Sequence, residues 1–161
     1  MRRINLCFVG AGPLILAACS ASVEAPTTFN EMAIRTEVEV QLRAEIAAFE
    51  RKDCDAALGF YADRAPLFVV GGRLMPSRSD LASRCPRMVA RIPPGATRPI
   101  ASETIHVLGV DGAYSVTEFL LPNRDQPGGE SLSQFVTKIW SRIDGSWLIV
   151  HVHESVARPR P

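Results

Sequence analysis

The chain has 161 residues, 47% of them hydrophobic and 22% charged, and a formal net charge of +1. This length and composition exclude a disordered or collagen-like protein and fit one globular domain with short additional segments. A net charge so close to zero gives no electrostatic bias toward nucleic acid, so we expect no nucleic-acid partner.

The amino-terminal residues have the features of an export leader. Arg2 and Arg3 make its start basic, and residues 4–16 are apolar but too few for a membrane-spanning helix. The Leu-Ala-Ala-Cys stretch that ends at Cys19 closely resembles the lipobox of bacterial lipoproteins, in which the leader is removed before a lipid-modified cysteine. A plain secretory peptide cut near Ala21 is the alternative.

The lipobox resemblance implies a cell-envelope protein held in the membrane by lipid on Cys19. Ser20 stands where Asp would retain a lipoprotein at the inner membrane, so the resemblance implies the outer membrane, with the protein facing the periplasm. The predicted parts are a signal peptide at 1–18, a lipidated tether at 19–27, a folded domain at 28–156 and a tail at 157–161.

Two thiols remain in the predicted mature domain, at Cys54 and Cys85, because Cys7 lies in the leader. Two such cysteines often pair in an oxidising compartment, so a disulfide is predicted, with two free buried thiols as the alternative. A catalytic thiol is disfavoured because neither cysteine has a C-x-x-C spacing or a neighbouring histidine.

The first part of the domain has helical periodicity. Thr28 and Glu31 form a capping box, and the apolar residues over 34–49 recur at spacings of three and four. These features predict a long amphipathic helix that ends at about residue 52. A short second helix is predicted over 56–61.

Turn and capping residues divide the next stretch. Consecutive glycines at 71–72 accept the positive φ of a tight turn and predict a hairpin over 67–75. A third helix, capped by Ser77 or Ser79, is predicted to end within 88–91.

The remainder of the chain is rich in strand-forming residues. Two Asp-Gly steps between such runs indicate hairpins, and the four runs predict an antiparallel meander. Helices placed ahead of a sheet favour an α+β fold, with a cone-shaped curved sheet wrapped around the long first helix. The predicted strands are 100–110, 113–121, 132–143 and 147–156.

Two stretches, 48–63 (AFERKDCDAALGFYAD) and 143–155 (IDGSWLIVHVHES), resemble the nuclear transport factor 2-like superfamily, and within it the SnoaL-like domains. The second stretch is also similar to the association domain of calcium/calmodulin-dependent kinase II. The resemblance covers about 32–156 and implies a conical α+β shell around one pocket, and a homodimer formed through the sheet.

The same resemblance does not specify an activity, because the superfamily includes isomerases, cyclases, dehydratases and assembly domains. In its ketosteroid isomerases, two acidic residues and a tyrosine meet in an apolar cavity. That full set cannot be placed in this sequence by motif, so steroid isomerisation is not expected.

His151 and His153 are the strongest candidates for functional-site residues. Strand alternation places them on one face with Trp147 and Ile149, at a separation of about 7 Å. Two imidazoles so placed fit proton transfer, anion binding or a contribution to a metal site. Structural histidines at the pocket floor or the dimer face are the alternative.

Glu118 lies in the second of the four predicted strands. If its face points inward, the carboxylate needs a partner such as His106, Arg142 or one of the terminal histidines. We therefore predict His151, His153 and Glu118 as the candidate catalytic acid–base residues, with a plain surface charge at Glu118 as the alternative.

Five further residues are candidates for contacts to a ligand. The alternatives are core packing for the tyrosine, a cap or turn for the aspartate, and an exposed sheet surface for the tryptophan and arginine. The five are Tyr61, Asp63, His106, Trp140 and Arg142.

No metal or cofactor is expected. The terminal histidines lack a third ligand at a recognisable spacing, and no nucleotide-binding, dinucleotide-binding, zincin or serine hydrolase motif occurs. The arginine-rich run over 73–98 is interpreted as a solvated helix face rather than an anion site.

These features predict a domain that binds a small, mainly apolar ligand in its cavity, without a firm catalytic assignment. An isomerase, cyclase or dehydratase that uses the histidines and Glu118 for acid–base chemistry is one alternative. A dimeric assembly module is the other.

Overall fold

The computed structural model describes residues 29–63, 67–92, 98–122 and 131–157. The predicted signal peptide, the tether with Cys19 and all of the predicted tail after Ala157 lie outside the described residues. In chain order the elements are α1 (Glu31–Glu50), α2 (Cys54–Leu58), β1 (Leu67–Val70), β2 (Arg73–Met75), α3 (Arg78–Val89), β3 (Ile100–Gly109), β4 (Gly112–Leu121), β5 (Leu132–Ile143) and β6 (Ser146–Ala157).

The long helix α1 buries one apolar stripe against the sheet. Its N-cap is Asn30, whose side chain accepts a hydrogen bond from the Ala33 N–H at 3.1 Å, whereas the predicted cap Thr28 lies outside the described residues. The helix is amphipathic as predicted. Its buried apolar stripe is Ile34, Val38, Leu42, Ile46 and Ala48. No helix in the described part of the chain has the length and apolarity needed to cross a membrane.

The second helix is displaced from its predicted position. It begins at Cys54 because Asp53 is the N-cap, with its side chain accepting from the Ala56 N–H at 3.0 Å. It ends at Leu58, so Tyr61 lies beyond the helix. There Tyr61 forms an isolated parallel bridge with Ile149 of β6, which fixes the tyrosine beside the sheet.

A disulfide links α2 to α3. The sulfur atoms of Cys54 and Cys85 are 2.10 Å apart, and the two residues are separated by 31 positions in the sequence. Closing a loop of this length stabilises a folded chain by about 3 to 4 kcal/mol in the loop-entropy model. The bridge therefore holds α3, whose N-cap is Ser77, against the start of α2.

The six strands form one sheet in the order β2-β1-β6-β5-β4-β3. The meander β3 to β6 is antiparallel, and the β1–β2 hairpin turns through Gly71 and Gly72 at φ of 56° and 70°, both as predicted. The parallel pairing of β1 with β6 was not predicted. The α+β prediction is confirmed, with a curved sheet that is not closed and a long amino-terminal helix.

A β-bulge in β6 changes which side chains face α1. Ile149 pairs with Trp140 and His151 pairs with Ile139, so Val150 is an extra residue without an opposite partner. Such an insertion inverts the alternation of a strand. The prediction that His151 and His153 share a face with Ile149 is therefore wrong: the inward residues after the bulge are Val152 and Glu154.

Candidate functional site

A cavity of about 150 Å³ lies between α1, α3 and the inner face of the sheet, which is the face that packs on α1. Most of its wall is apolar, and a small set of polar side chains interrupts it. The apolar lining is Phe49, Val70, Leu81, Met88, Val89, Ile92, Phe119, Val136 and Val152. The polar lining is Glu45, Tyr61, Arg98, Gln134, Lys138 and Glu154.

Three of the polar side chains form a buried hydrogen-bonded group. The Lys138 Nζ donates to Glu45 Oε2 at 2.5 Å, and the Tyr61 hydroxyl donates to Glu45 Oε1 at 2.8 Å. The lysine and glutamate side chains are only 6% and 1% exposed. Both oxygens of the glutamate thus have a donor, as a buried carboxylate requires.

The local sequence explains why these groups meet. Glu45 lies three residues after Leu42 on the buried stripe of α1, so its side chain points at the sheet. Lys138 alternates with Val136 and Trp140 on the inner face of β5. A helix and a central strand therefore each contribute one charge to the same place.

Tyr61 remains a neutral hydroxyl donor in this environment. Burial raises its pKa well above 10, and the neighbouring Glu45 carboxylate raises it further. The phenol ring also packs edge-on against Phe68, with ring centroids 5.3 Å apart. Tyr61 therefore has one fixed orientation at the cavity wall.

Arg98 and Glu154 are two further charged residues of the cavity wall, and their side chains are less fully hydrogen-bonded than that of Glu45. The Arg98 guanidinium lies 4.5 Å from the centre of the Phe119 ring, and its buried Nε has no hydrogen-bond partner within the described residues. Glu154 accepts from the Gly71 N–H at 3.1 Å. Burial raises the pKa of the Glu154 carboxyl, because the charged form is separated from water.

The predicted catalytic residues lie on the outer face of the sheet, which is the side away from α1. Glu118 accepts from Ser102 Oγ at 3.1 Å and from Ser133 Oγ at 2.6 Å, and pairs with no histidine. It points outward because its neighbours Thr117 and Phe119 are the buried ones. His151 is half-buried and His153 exposed, both after the bulge. The structure thus brings none of the three to the cavity.

Of the five predicted ligand contacts, Tyr61 lines the cavity. Asp63 is 82% exposed and forms an ion pair with Arg78. His106 stacks on Tyr114 on the outer face, with ring centroids 4.7 Å apart. These placements separate Asp63 and His106 from the cavity.

The other two predicted ligand contacts, Trp140 and Arg142, form hydrogen bonds outside the cavity. Trp140 is 1% exposed and donates its Nε1–H to Ser115 Oγ at 3.0 Å in the core. Arg142 lies over the Trp147 ring and donates to Glu37 Oε2 at 2.5 Å. Within the described residues, no group of three His, Cys, Asp or Glu side chains could hold a metal ion.

Five of the six polar cavity residues, all except Tyr61, were not predicted from the sequence. A signal existed for two of them, because Glu45 interrupts an apolar helix stripe and Lys138 interrupts an inward strand face. For Glu154, regular strand alternation puts the side chain on the face opposite Ile149, and the bulge that turns it inward was not predicted. Arg98 has no sequence signal, since its place depends on how the chain before β3 meets the sheet.

Comparisons with known proteins agree with this architecture. The family model of the calcium/calmodulin dependent protein kinase II association domain matches residues 44–158. The chain belongs to this family. No curated protein matches the sequence.

Solved structures similar to this association-domain family member share its fold at low sequence identity. A Salmonella enterica nuclear transport factor 2-like superfamily protein is 17% identical over 81% of this chain and 95% of its own, with a TM-score of 0.62. A Xanthomonas campestris protein, provisionally named as an association domain of the same type, is 21% identical over 75% of this chain and 86% of its own, with a TM-score of 0.59.

A third solved structure is a Shewanella frigidimarina protein provisionally named as a ketosteroid isomerase. It is 19% identical over 72% of this chain and 92% of its own, with a TM-score of 0.61. At these identities the likenesses show the fold alone. The nuclear transport factor 2-like and SnoaL-like prediction is confirmed at that level.

We predict that the buried ion pair shows strong energetic coupling. Glu45→Gln leaves the Lys138 ammonium buried without its counter-charge and should lower the free energy of unfolding by about 3 to 5 kcal/mol. The double variant Glu45→Gln/Lys138→Met should lose less free energy of unfolding than the two single variants lose together. Urea unfolding of the single and double variants measures this coupling.

The matched control for this cycle is Glu31→Gln, which breaks the exposed pair between Glu31 and Arg35 on the same helix. Its effect should stay within about 0.5 kcal/mol. Strictly additive losses at Glu45 and Lys138 would show that the two charges do not depend on each other.

Proposed function

We propose that this chain is a cell-envelope lipoprotein whose domain binds a small, mainly apolar ligand in the cavity between α1 and the sheet. The observation that carries this proposal is the buried Nε of Arg98, a hydrogen-bond donor without a partner in the described residues, in a side chain that lines a mainly apolar cavity. Unpartnered buried donors are rare in folded proteins. A ligand with an acceptor atom would satisfy this one.

The size and lining of the cavity support a small ligand. A cavity of about 150 Å³ with apolar walls is large enough for a ring such as benzene. Tyr61, Gln134 and Arg98 offer a few polar contacts that would orient the ligand, which is the usual arrangement of small-molecule sites. Binding without turnover fits a site in which Glu45 and Lys138 already satisfy each other.

A proton-transfer enzyme of the isomerase, cyclase or dehydratase type is the second candidate. Glu154 favours it, because a carboxyl group with a raised pKa at a cavity wall has the property of a general base or acid. We therefore place the acid–base role of this candidate on Glu154, with the Tyr61 hydroxyl as hydrogen-bond donor. The provisional name of the Shewanella frigidimarina structure is consistent with it.

We also propose that the domain forms a homodimer through the outer face of the sheet. Ile139, in the middle of β5, is 39% exposed there, beside the outward His151 and His153. An interface through this face would bury Ile139 together with the two histidines. The family is named for an association domain, which is consistent with such an assembly.

The proposal of an envelope lipoprotein depends on the amino-terminal sequence. The lipobox-like stretch ending at Cys19, after a basic start and an apolar core, supports removal of 1–18 and lipid attachment. The disulfide between Cys54 and Cys85 is consistent with an oxidising compartment.

We predict that the purified full chain retains a small molecule that native mass spectrometry detects. Val136→Phe should fill the cavity and lose this mass, because Val136 lies in the cavity wall. Val116→Phe, on the outer face of the neighbouring β4, is the matched control and should retain it. An empty wild-type chain would favour the assembly role, and deuterium uptake by the ligand in heavy water would favour the enzyme.

For the dimer, Ile139→Glu should convert the dimer to a monomer, because in a two-fold interface the same patch meets itself and each dimer receives two charges. Size-exclusion chromatography with light scattering measures the change. Val40→Glu, at an exposed position of α1, is the control and should remain dimeric. A monomeric wild-type chain, or no change for Ile139→Glu, would refute the proposed interface.

For the anchor, Cys19→Ser should abolish incorporation of radiolabelled palmitate and leave an unprocessed precursor, because the thiol is the acceptor of lipid. Cys7→Ser is the control, since Cys7 lies in the predicted leader, and it should be labelled normally. Normal labelling of Cys19→Ser would contradict the anchor.

A further inference from the structure

A cleft of about 330 Å³ lies between the β1–β2 hairpin and α3, next to the cavity. Four arginines line it, and we call it the arginine cleft. Arg73 comes from β2, and the other three come from α3 and the turn that follows it: Arg84, Arg87 and Arg91. All four are exposed, in agreement with the interpretation of this arginine run as a solvated face, and the structure adds that they line one cleft.

The arrangement concentrates positive charge on one side of the cleft. Arg84 and Arg87 are three residues apart in α3, which places them on one side of the helix, where like charges repel, and Arg91 follows in the next turn. Within the described residues, neither Arg84 nor Arg87 has an ion pair or a hydrogen bond through its side chain. An anion between these guanidinium groups would remove the repulsion.

Among the described residues that line the arginine cleft, Glu154 is the one carboxylate. It already accepts a hydrogen bond from the Gly71 N–H, and the residue also lines the cavity. Against Arg73, Arg84 and Arg87, this one carboxylate leaves an excess of positive charge among the described residues of the cleft. Arginine is well suited to this role, because its planar guanidinium binds oxyanions with two parallel hydrogen bonds.

The arginine cleft and the cavity are neighbours in space. Val70, Met88 and Glu154 line both of them. A ligand whose apolar part fills the cavity can therefore extend past Met88 and place a polar end in the cleft. The two spaces together offer an apolar compartment of about 150 Å³ followed by a cationic one.

We infer that the ligand is a small organic acid, with its apolar body in the cavity and its carboxylate in the arginine cleft. This inference rests on the proposed ligand-binding function and specifies the chemical class of the ligand. It separates the two roles of the site: the cavity wall accepts the apolar body, and Arg84 and Arg87 select for the negative charge.

Phenylacetate and phenylacetamide test this inference, because they share an aromatic ring and differ in charge. Isothermal titration of the full chain should give phenylacetate an affinity about tenfold above that of phenylacetamide, an advantage that falls at high salt. Arg84→Gln/Arg87→Gln should remove the advantage and leave phenylacetamide binding unchanged. Arg51→Gln, an exposed arginine outside both spaces, is the matched control.

The outcomes are distinguishable. Equal affinity of the wild-type chain for both probes would overturn the organic-acid inference and leave the ligand-binding function standing. No binding of either probe, together with no retained molecule in the purified chain, would overturn both. If the double variant loses binding to phosphatidylglycerol vesicles but keeps the phenylacetate affinity, the arginines contact a membrane surface and the inference is overturned.

Discussion

The buried ion pair between Glu45 and Lys138 is the constraint on which the arrangement of this domain depends. It joins the middle of α1 to the middle of β5, so the helix can neither slide nor rotate on the sheet without separating two charges in a medium that screens them poorly. Apolar residues of similar volume hold such positions equally well in many proteins. The charges therefore do more than stabilise: with Tyr61, they give an apolar cavity one polar and fixed wall.

Around this fixed wall the polar groups differ in how much freedom they keep. Both oxygens of Glu45 are occupied, whereas Arg98 has a buried donor without a partner and Glu154 receives a single backbone hydrogen bond. The satisfied Glu45 lies on α1, whereas Glu154 lies on β6, where it lines both the cavity and the arginine cleft. The Glu45 group thus supplies rigidity, while Arg98 and Glu154 keep the capacity to bind a ligand atom.

Most elements of this fold could be predicted, because each helix, strand or turn has a sequence pattern of its own. The hairpin at Gly71 and Gly72 and the span of β5 agree with their predictions, since a turn type and an alternation are readable over a few residues. The faces of β6 were not predictable in this way, because the single extra residue Val150 inverts the alternation and leaves hydrophobicity unchanged. Consequently the site was placed at His151 and His153 on the outer face, whereas Glu154 reaches the cavity.

The disulfide between Cys54 and Cys85 has a kinetic consequence. Helix α3 carries one wall of the cavity, with Leu81, Met88 and Val89, and Cys85 lies between them on that helix. Because the bridge ties α3 to α2, the helix cannot swing outward as a lid. A ligand must then exchange past side chains, and rotamer changes at Met88, at the boundary with the arginine cleft, are far faster than displacement of a helix. Exchange without any large opening motion is the behaviour of a permanently formed site.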